Sequence, residues 1–73
     1  MEVKAIVKLN KKRVIFYESM GKYYVVSEHW GKKHYNEDFC MEVTKEDGNK
    51  IYKSLIANGF VKCSKEVCEK YVR

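Results

Sequence analysis

Apolar and polar positions alternate along residues 2–10. Val3, Ala5, Val7 and Leu9 fall on one side, and Lys4, Ile6 and Lys8 on the other. A period of two is that of a β-strand, whose successive side chains point to opposite faces. Residues 13–19 and 22–29 are dense in β-branched and aromatic side chains, which suit a pleated, half-buried surface. Between them, Met20-Gly21 fits a two-residue hairpin loop in which glycine takes the positive φ. Asn10-Lys11-Lys12 supplies the preceding turn. Residues 35–43 give a weaker fourth strand. Phe39, Met41 and Val43 alternate, while Asn36-Glu37-Asp38 breaks or bulges the run.

The period then changes. Gly48, Ile51, Tyr52, Leu55 and Ile56 stand at i, i+3, i+4, i+7 and i+8, the apolar stripe of an amphipathic helix. Thr44 is placed as its N-cap, with Asp47 three residues on and Glu46 also near the positive end of the helix dipole. Asn58-Gly59 ends the helix, and Phe60 supplies the apolar contact that follows such a cap. Gly48, on the stripe, reads as a point of close approach to the sheet. Ser64 starts a second, short helix carrying Val67, Cys68, Tyr71 and Val72 on one side. The expected fold is therefore α+β. It has an antiparallel meander of three or four strands, one packed helix and a short C-terminal helix, all in one domain spanning residues 1–73.

The hairpin loop also fixes a register. Ser19 pairs with Lys22, so Tyr17 meets Tyr24, Ile15 meets Val26 and Arg13 meets Glu28. With an even first loop the two faces separate. One holds Val3, Ala5, Val7, Leu9, Val14, Phe16, Tyr23 and Val25, and the Ile51/Leu55 helix covers it. The other holds Lys4, Ile6, Lys8, Arg13, Ile15, Tyr17, Tyr24, Val26, Glu28 and Trp30. One helix covers one side of a small sheet, so this second face is expected to lie open, aromatic in its middle and basic at its rim. The alternative is that its aromatics form a second small core, covered by the C-terminal helix or by a second copy of the chain. A slip of one residue would exchange the faces.

Charge sharpens this picture. Residues 1–34 carry eight Lys/Arg against three Glu, whereas residues 35–73 carry seven of each sign, so the whole net charge of +5 falls in the first half. Such asymmetry bears on partners rather than on fold. In a meander the first and third loops lie at the same end, so Lys11, Lys12 and Arg13 meet Lys32, Lys33 and His34, with Trp30 and Lys8 nearby. Glu37 and Asp38 follow closely and offset part of the field. Lysines neutralise phosphates and release counterions, and the rings of Tyr17 and Tyr24 offer π-faces to unpaired bases.

Other chemistry finds little support in the sequence. His29 and His34, with Cys63 and Cys68, have four-residue spacings, but the cysteine pair straddles a helix cap rather than a tight zinc knuckle. No metal or cofactor is expected. Three cysteines make an odd number in a short chain, which fits reduced thiols in the cytoplasm better than a disulfide framework. No apolar run approaches the ~20 residues of a membrane span. Adjacent carboxylates at Glu37-Asp38 point to opposite faces of a strand, and no phosphate loop or nucleophile elbow is present, so no enzyme is expected.

The sequence thus points to a non-enzymatic binding module. Its expected contacts are Lys8, Lys11, Lys12, Arg13, Tyr17, Tyr24, Trp30, Lys32, Lys33 and His34, and its expected partner is nucleic acid. The alternative is a small regulator or inhibitor of the phage or mobile-element type, pressing the same Tyr/Trp/Arg surface on an acidic protein. A homodimer that buries the second face is a third possibility.

Overall fold

The computed structural model describes residues 1–71. The chain runs β1 (Glu2–Leu9), β2 (Lys12–Ser19), β3 (Lys22–Gly31), β4 (His34–Val43), α1 (Lys45–Ala57), β5 (Val61–Lys62) and α2 (Lys65–Lys70). The strands form one antiparallel sheet in the order β4-β3-β2-β1-β5. The first four strands are the expected meander, and the fourth strand forms over nearly its expected length. The two-residue β5 is a fifth strand that no sequence pattern announced. It pairs with β1 at Val7 and Lys8, and Cys63 N donates to Ile6 O at 2.8 Å just beyond it.

Local chemistry explains the turns. Met20 (φ 54°) and Gly21 (φ 77°) both take the left-handed region, which matches the twist of a two-residue hairpin. The β2–β3 register follows: Ser19↔Lys22, Tyr17↔Tyr24, Ile15↔Val26 and Arg13↔Glu28. The first loop is Asn10-Lys11 rather than three residues long, because Leu9 pairs with Lys12. An even loop keeps the faces sorted.

Two bulges modify that sorting. On β1, Val3 pairs with Tyr17 but Ala5 with Phe16, leaving Lys4 as an extra residue. Val3 therefore turns to the second face and packs with Ile6, Ile15, Tyr17 and Val26, not to the first face as alternation implied. Lys4 reaches Glu2 (3.1 Å) and Glu18 (3.6 Å) instead. The hydrogen bond to Glu2, aided by both carboxylate charges, holds its ammonium pKa above the ordinary value. On β4, Ser27 pairs with Phe39 but Glu28 with Glu37, so Asp38 is the bulged residue, within the tripeptide where the sequence placed an irregularity.

The first face forms the expected core. Ala5, Val7, Val14, Phe16 and Val25 are buried, with Val43, Ile51, Tyr52, Leu55 and Phe60 packed on them. Thr44 caps α1 by accepting from Asp47 N at 3.0 Å. Its C-terminus is a Schellman motif: Phe60 N donates to Leu55 O and Gly59 N to Ile56 O, both at 3.1 Å, with Gly59 at φ 98°. That motif favours an apolar contact across the cap, and Leu55 and Phe60 both pack on the same core.

Gly48 does not have the role its position suggested. A Cβ there would meet only Val43 Cγ2, at 3.5 Å, an ordinary contact. Gly48→Ala is therefore expected to stabilise the fold by about 0.5–1 kcal/mol through helix propensity alone. That raises the melting temperature by several degrees in a domain this small. An unchanged or lower melting temperature in thermal circular dichroism would show that α1 sits closer to the sheet than this contact implies.

The second face is not open. Ile6, Ile15, Tyr17 and Val26 form a second buried cluster, covered by Cys63, Cys68 and Tyr71 of the C-terminal segment. Ser64 caps α2 by accepting from Val67 N at 3.3 Å. Cys63 and Cys68 flank that cap at the two positions of a hydrophobic staple, which sets the angle at which the chain enters the helix. Val67, expected on the packed side, is instead exposed. Val72 lies outside the described residues.

Candidate nucleic-acid interface

The two basic turns meet. Trp30 N donates to Lys11 O at 2.6 Å, tying the end of β3 to the β1–β2 loop. Lys8 pairs with Arg13 and Trp30 with Tyr35, so alternation puts all four side chains on the second face at this end. Lys32 and Lys33 form the tip of the β3–β4 turn between Gly31 and His34. Lys12 pairs with His29, and His34 with Gly31. By the same alternation, Lys12 and His34 belong to the first face and flank this end from behind. Among the described residues, none of Lys8, Lys11, Lys12, Lys32 or Lys33 forms an ion pair, and all five are exposed or nearly so. Asp38 lies 2.6 Å from His29 Nδ1, so one of the two acids expected to offset this field is engaged locally.

Trp30 and Tyr35 form an edge-to-face pair, with centroids 5.0 Å apart and an interplanar angle of 75°. Tyr35 was not singled out by the sequence. Its signal was present in the two-residue Lys32-Lys33 turn, which makes it the cross-strand partner of Trp30.

Three expected contact residues are used otherwise. Arg13 Nε donates to Glu28 Oε1 at 2.5 Å, and Tyr71 Oη donates to Glu28 Oε2 at 3.3 Å. The guanidinium also lies 3.6 Å from the Tyr35 ring centroid and 5.2 Å from that of Tyr71. Arg13 is thus the centre of a half-buried network that fastens the C-terminal segment to the sheet. Tyr17 is 8% exposed, and its ring stacks on Tyr24 with centroids 5.0 Å apart. Each ring already covers a face of the other, and Tyr17 Oη lies 3.7 Å from Cys40 Sγ. Tyr24 is half-buried and six residues from Trp30 along β3, about 20 Å at strand rise. The aromatic middle and the basic rim are separate places.

The turn tip is strained. Lys32 (φ 54°) and Lys33 (φ 70°) both occupy the left-handed region, where a residue with a Cβ is disfavoured by roughly 1–2 kcal/mol. Asn-Gly is the favoured pair for this turn. The double variant Lys32→Asn/Lys33→Gly is expected to raise stability by about 1 kcal/mol or more while weakening binding to any polyanion. Chemical denaturation and a binding titration on the same sample check both halves. A gain in stability with unchanged polyanion affinity removes these two lysines from the interface.

Other chemistry stays local. Among the described residues, no group of three or more His, Cys, Asp or Glu is placed to hold a metal ion. Cys40, Cys63 and Cys68 are free thiols. No helix among the described residues is long and apolar enough to cross a membrane. Comparison with protein-family models, curated proteins and solved structures found no match.

Proposed function

We propose that this chain is a non-enzymatic nucleic-acid-binding module that works from the turn end of its sheet, in a reducing, cytoplasmic setting. The contacts are the ammoniums of Lys8, Lys11, Lys12, Lys32 and Lys33, with His34 beside them and Trp30 as the exposed ring. The observation that carries the reading is the Trp30 N to Lys11 O hydrogen bond, which ties the first basic turn to β3 two residues before the Lys32-Lys33 turn. Clustered lysines without acid partners give a strong local field, and phosphates exploit such a field through counterion release.

The test is a salt titration with labelled DNA and RNA. The logarithm of the binding constant should fall linearly with the logarithm of salt. Alanine at Lys11, Lys12, Lys32 or Lys33 should lower that slope by ~1 for each phosphate no longer neutralised. Absence of binding to either nucleic acid at low salt, where screening is weakest, defeats the proposal.

An acidic protein partner is the competing reading, favoured by the exposure of Trp30. There Trp30→Ala would cost at least ~2 kcal/mol, and the rim lysines would chiefly slow association. A homodimer has a different surface available. Strand β4 is paired only on its β3 side among the described residues, and Phe39 and Met41 are exposed on it. Glu37, Asp38 and Glu42 on that edge oppose self-pairing, as charges on edge strands do. A doubled mass in solution would favour the dimer.

A further inference from the structure

The Trp30 corner encloses a specific shape. Lys8, Asn10, Lys11, Trp30 and Tyr35 line an open notch of about 320 Å³, at the lower end of the range for ligand sites. We infer that this notch takes one unpaired nucleotide, its base lying against Trp30 and its phosphate between the ammoniums of Lys8 and Lys11. The inference rests on the nucleic-acid reading above and narrows it to a single-stranded or extruded base.

No acid lines the notch, and its two charged groups are both cations. It therefore suits an anion. Its walls include the indole and a phenol ring, so it suits an anion that also carries a flat π-system. A nucleotide joins the two in one unit. An acidic peptide offers the charge, but Asp and Glu carry no ring to lie on the indole.

The notch is also preorganised. Trp30 is 43% exposed, yet it is not a loose surface ring. Its backbone is fixed to Lys11 O, and its side chain meets Tyr35 edge to face. Tyr35 is backed in turn by the Arg13 guanidinium, which the buried Glu28 holds. A chain of contacts thus runs from the protein interior to the indole. A ring already fixed loses little side-chain freedom on binding, which conserves affinity.

Bases within a duplex are stacked on both faces and offer none to an indole. Aromatic residues of this kind take bases that are splayed out or unpaired. With Tyr17 stacked on Tyr24 and both far along the sheet, Trp30 is the only exposed Phe, Tyr or Trp ring at this end among the described residues, and His34 does not line the notch, so the notch holds one base, not a run.

The chain has a single tryptophan, so its fluorescence reports from the notch alone. The experiment titrates the intact protein at low salt with short oligothymidylate and oligouridylate strands, and with a blunt duplex of the same length. Indole emission is followed alongside the anisotropy of labelled strands. We expect marked quenching by a single strand and none by the duplex. Trp30→Ala should weaken single-strand binding by roughly 5- to 150-fold, the equivalent of the ~1–3 kcal/mol of one stacked base. Duplex affinity and the salt slope should be unchanged. Trp30→Phe, which keeps a ring against Tyr35, should fall between the two, and melting curves establish that both variants are folded. Binding by anisotropy with no change in emission, or equal quenching by the duplex, overturns the notch while leaving the basic surface standing. No binding of either form removes both.

Discussion

Arg13→Ala is expected to destabilise the protein by about 3–5 kcal/mol, enough to leave a large fraction unfolded at ordinary temperature. Removing the guanidinium strands the carboxylate of Glu28, whose side chain is 10% exposed and would keep the Tyr71 hydroxyl at 3.3 Å in place of a full cation. A buried charge that loses its partner bears the desolvation penalty with little attraction to offset it. The rings of Tyr35 and Tyr71 also lose the cation that lies over them. The damage should extend to the cover of the second face, since Tyr71 is the element fastened there. Replacing both charges with apolar residues, as in Arg13→Met/Glu28→Leu, should recover most of the loss, because a packed apolar pair has no charge to desolvate. Urea denaturation of the three proteins checks this. A single variant whose midpoint matches the parent's would show that the pair is a surface contact without structural weight. The result also separates Arg13 from the lysines: its loss should weaken binding through the fold, whereas loss of Lys11 or Lys33 should leave the melting curve unharmed.

Phe16→Ala is expected to cost about 3–5 kcal/mol as well, from the opposite side of the sheet. Phe16 is 8% exposed and meets Tyr52 of α1 edge to face, with centroids 5.7 Å apart. Alanine removes the ring's buried area and leaves a cavity that the surrounding strands cannot close. A chain of 73 residues has a total stability of only about 4–11 kcal/mol at ordinary per-residue values. The loss should lower the melting temperature by roughly 10 °C or more. Leu55→Ala should cost less, because Leu55 is only half-buried and part of the space it vacates fills with water. Equal losses for the two would mean that α1 presses on the sheet more tightly than its exposure indicates. A Phe16 variant melting at about the parent's temperature would displace Phe16 from the core.

The residues that sequence pattern identified correctly are those governed by near neighbours. Met20-Gly21 set the β2–β3 register to the residue, since a two-residue loop permits one pairing. Thr44 and Gly59 marked the ends of α1, since the groups they satisfy lie within one turn. Period-two alternation then assigned Val7, Val14, Phe16 and Val25 to one core and Ile6, Ile15 and Val26 to the other face. Where alternation failed, a bulge intervened: one unpaired residue at Lys4 was enough to turn Val3 over. Nothing in the local run around Val3 distinguishes that bulge from a regular strand.

The candidate site divides along the same line. Its lysines were legible because charge is a property of composition, and the meeting of the two turns was legible because a meander returns every second loop to the same end. Cover of the second face by the C-terminal helix stood in the sequence only as an alternative to an open face. It depends on Tyr71 reaching Glu28, 43 residues away, and on a two-residue β5 that brings the C-terminal segment back beside β1. Local pattern was enough for the first four strands, the β2–β3 register and a cluster of positive charge, because short-range sterics and periodicity dictate them. That Tyr17 is buried and Arg13 is tied into a half-buried network, while Trp30 and Tyr35 form the outer corner, emerges from the folded chain. That choice rests on which surfaces a distant segment takes out of water, and burial of that kind is settled by the whole chain at once.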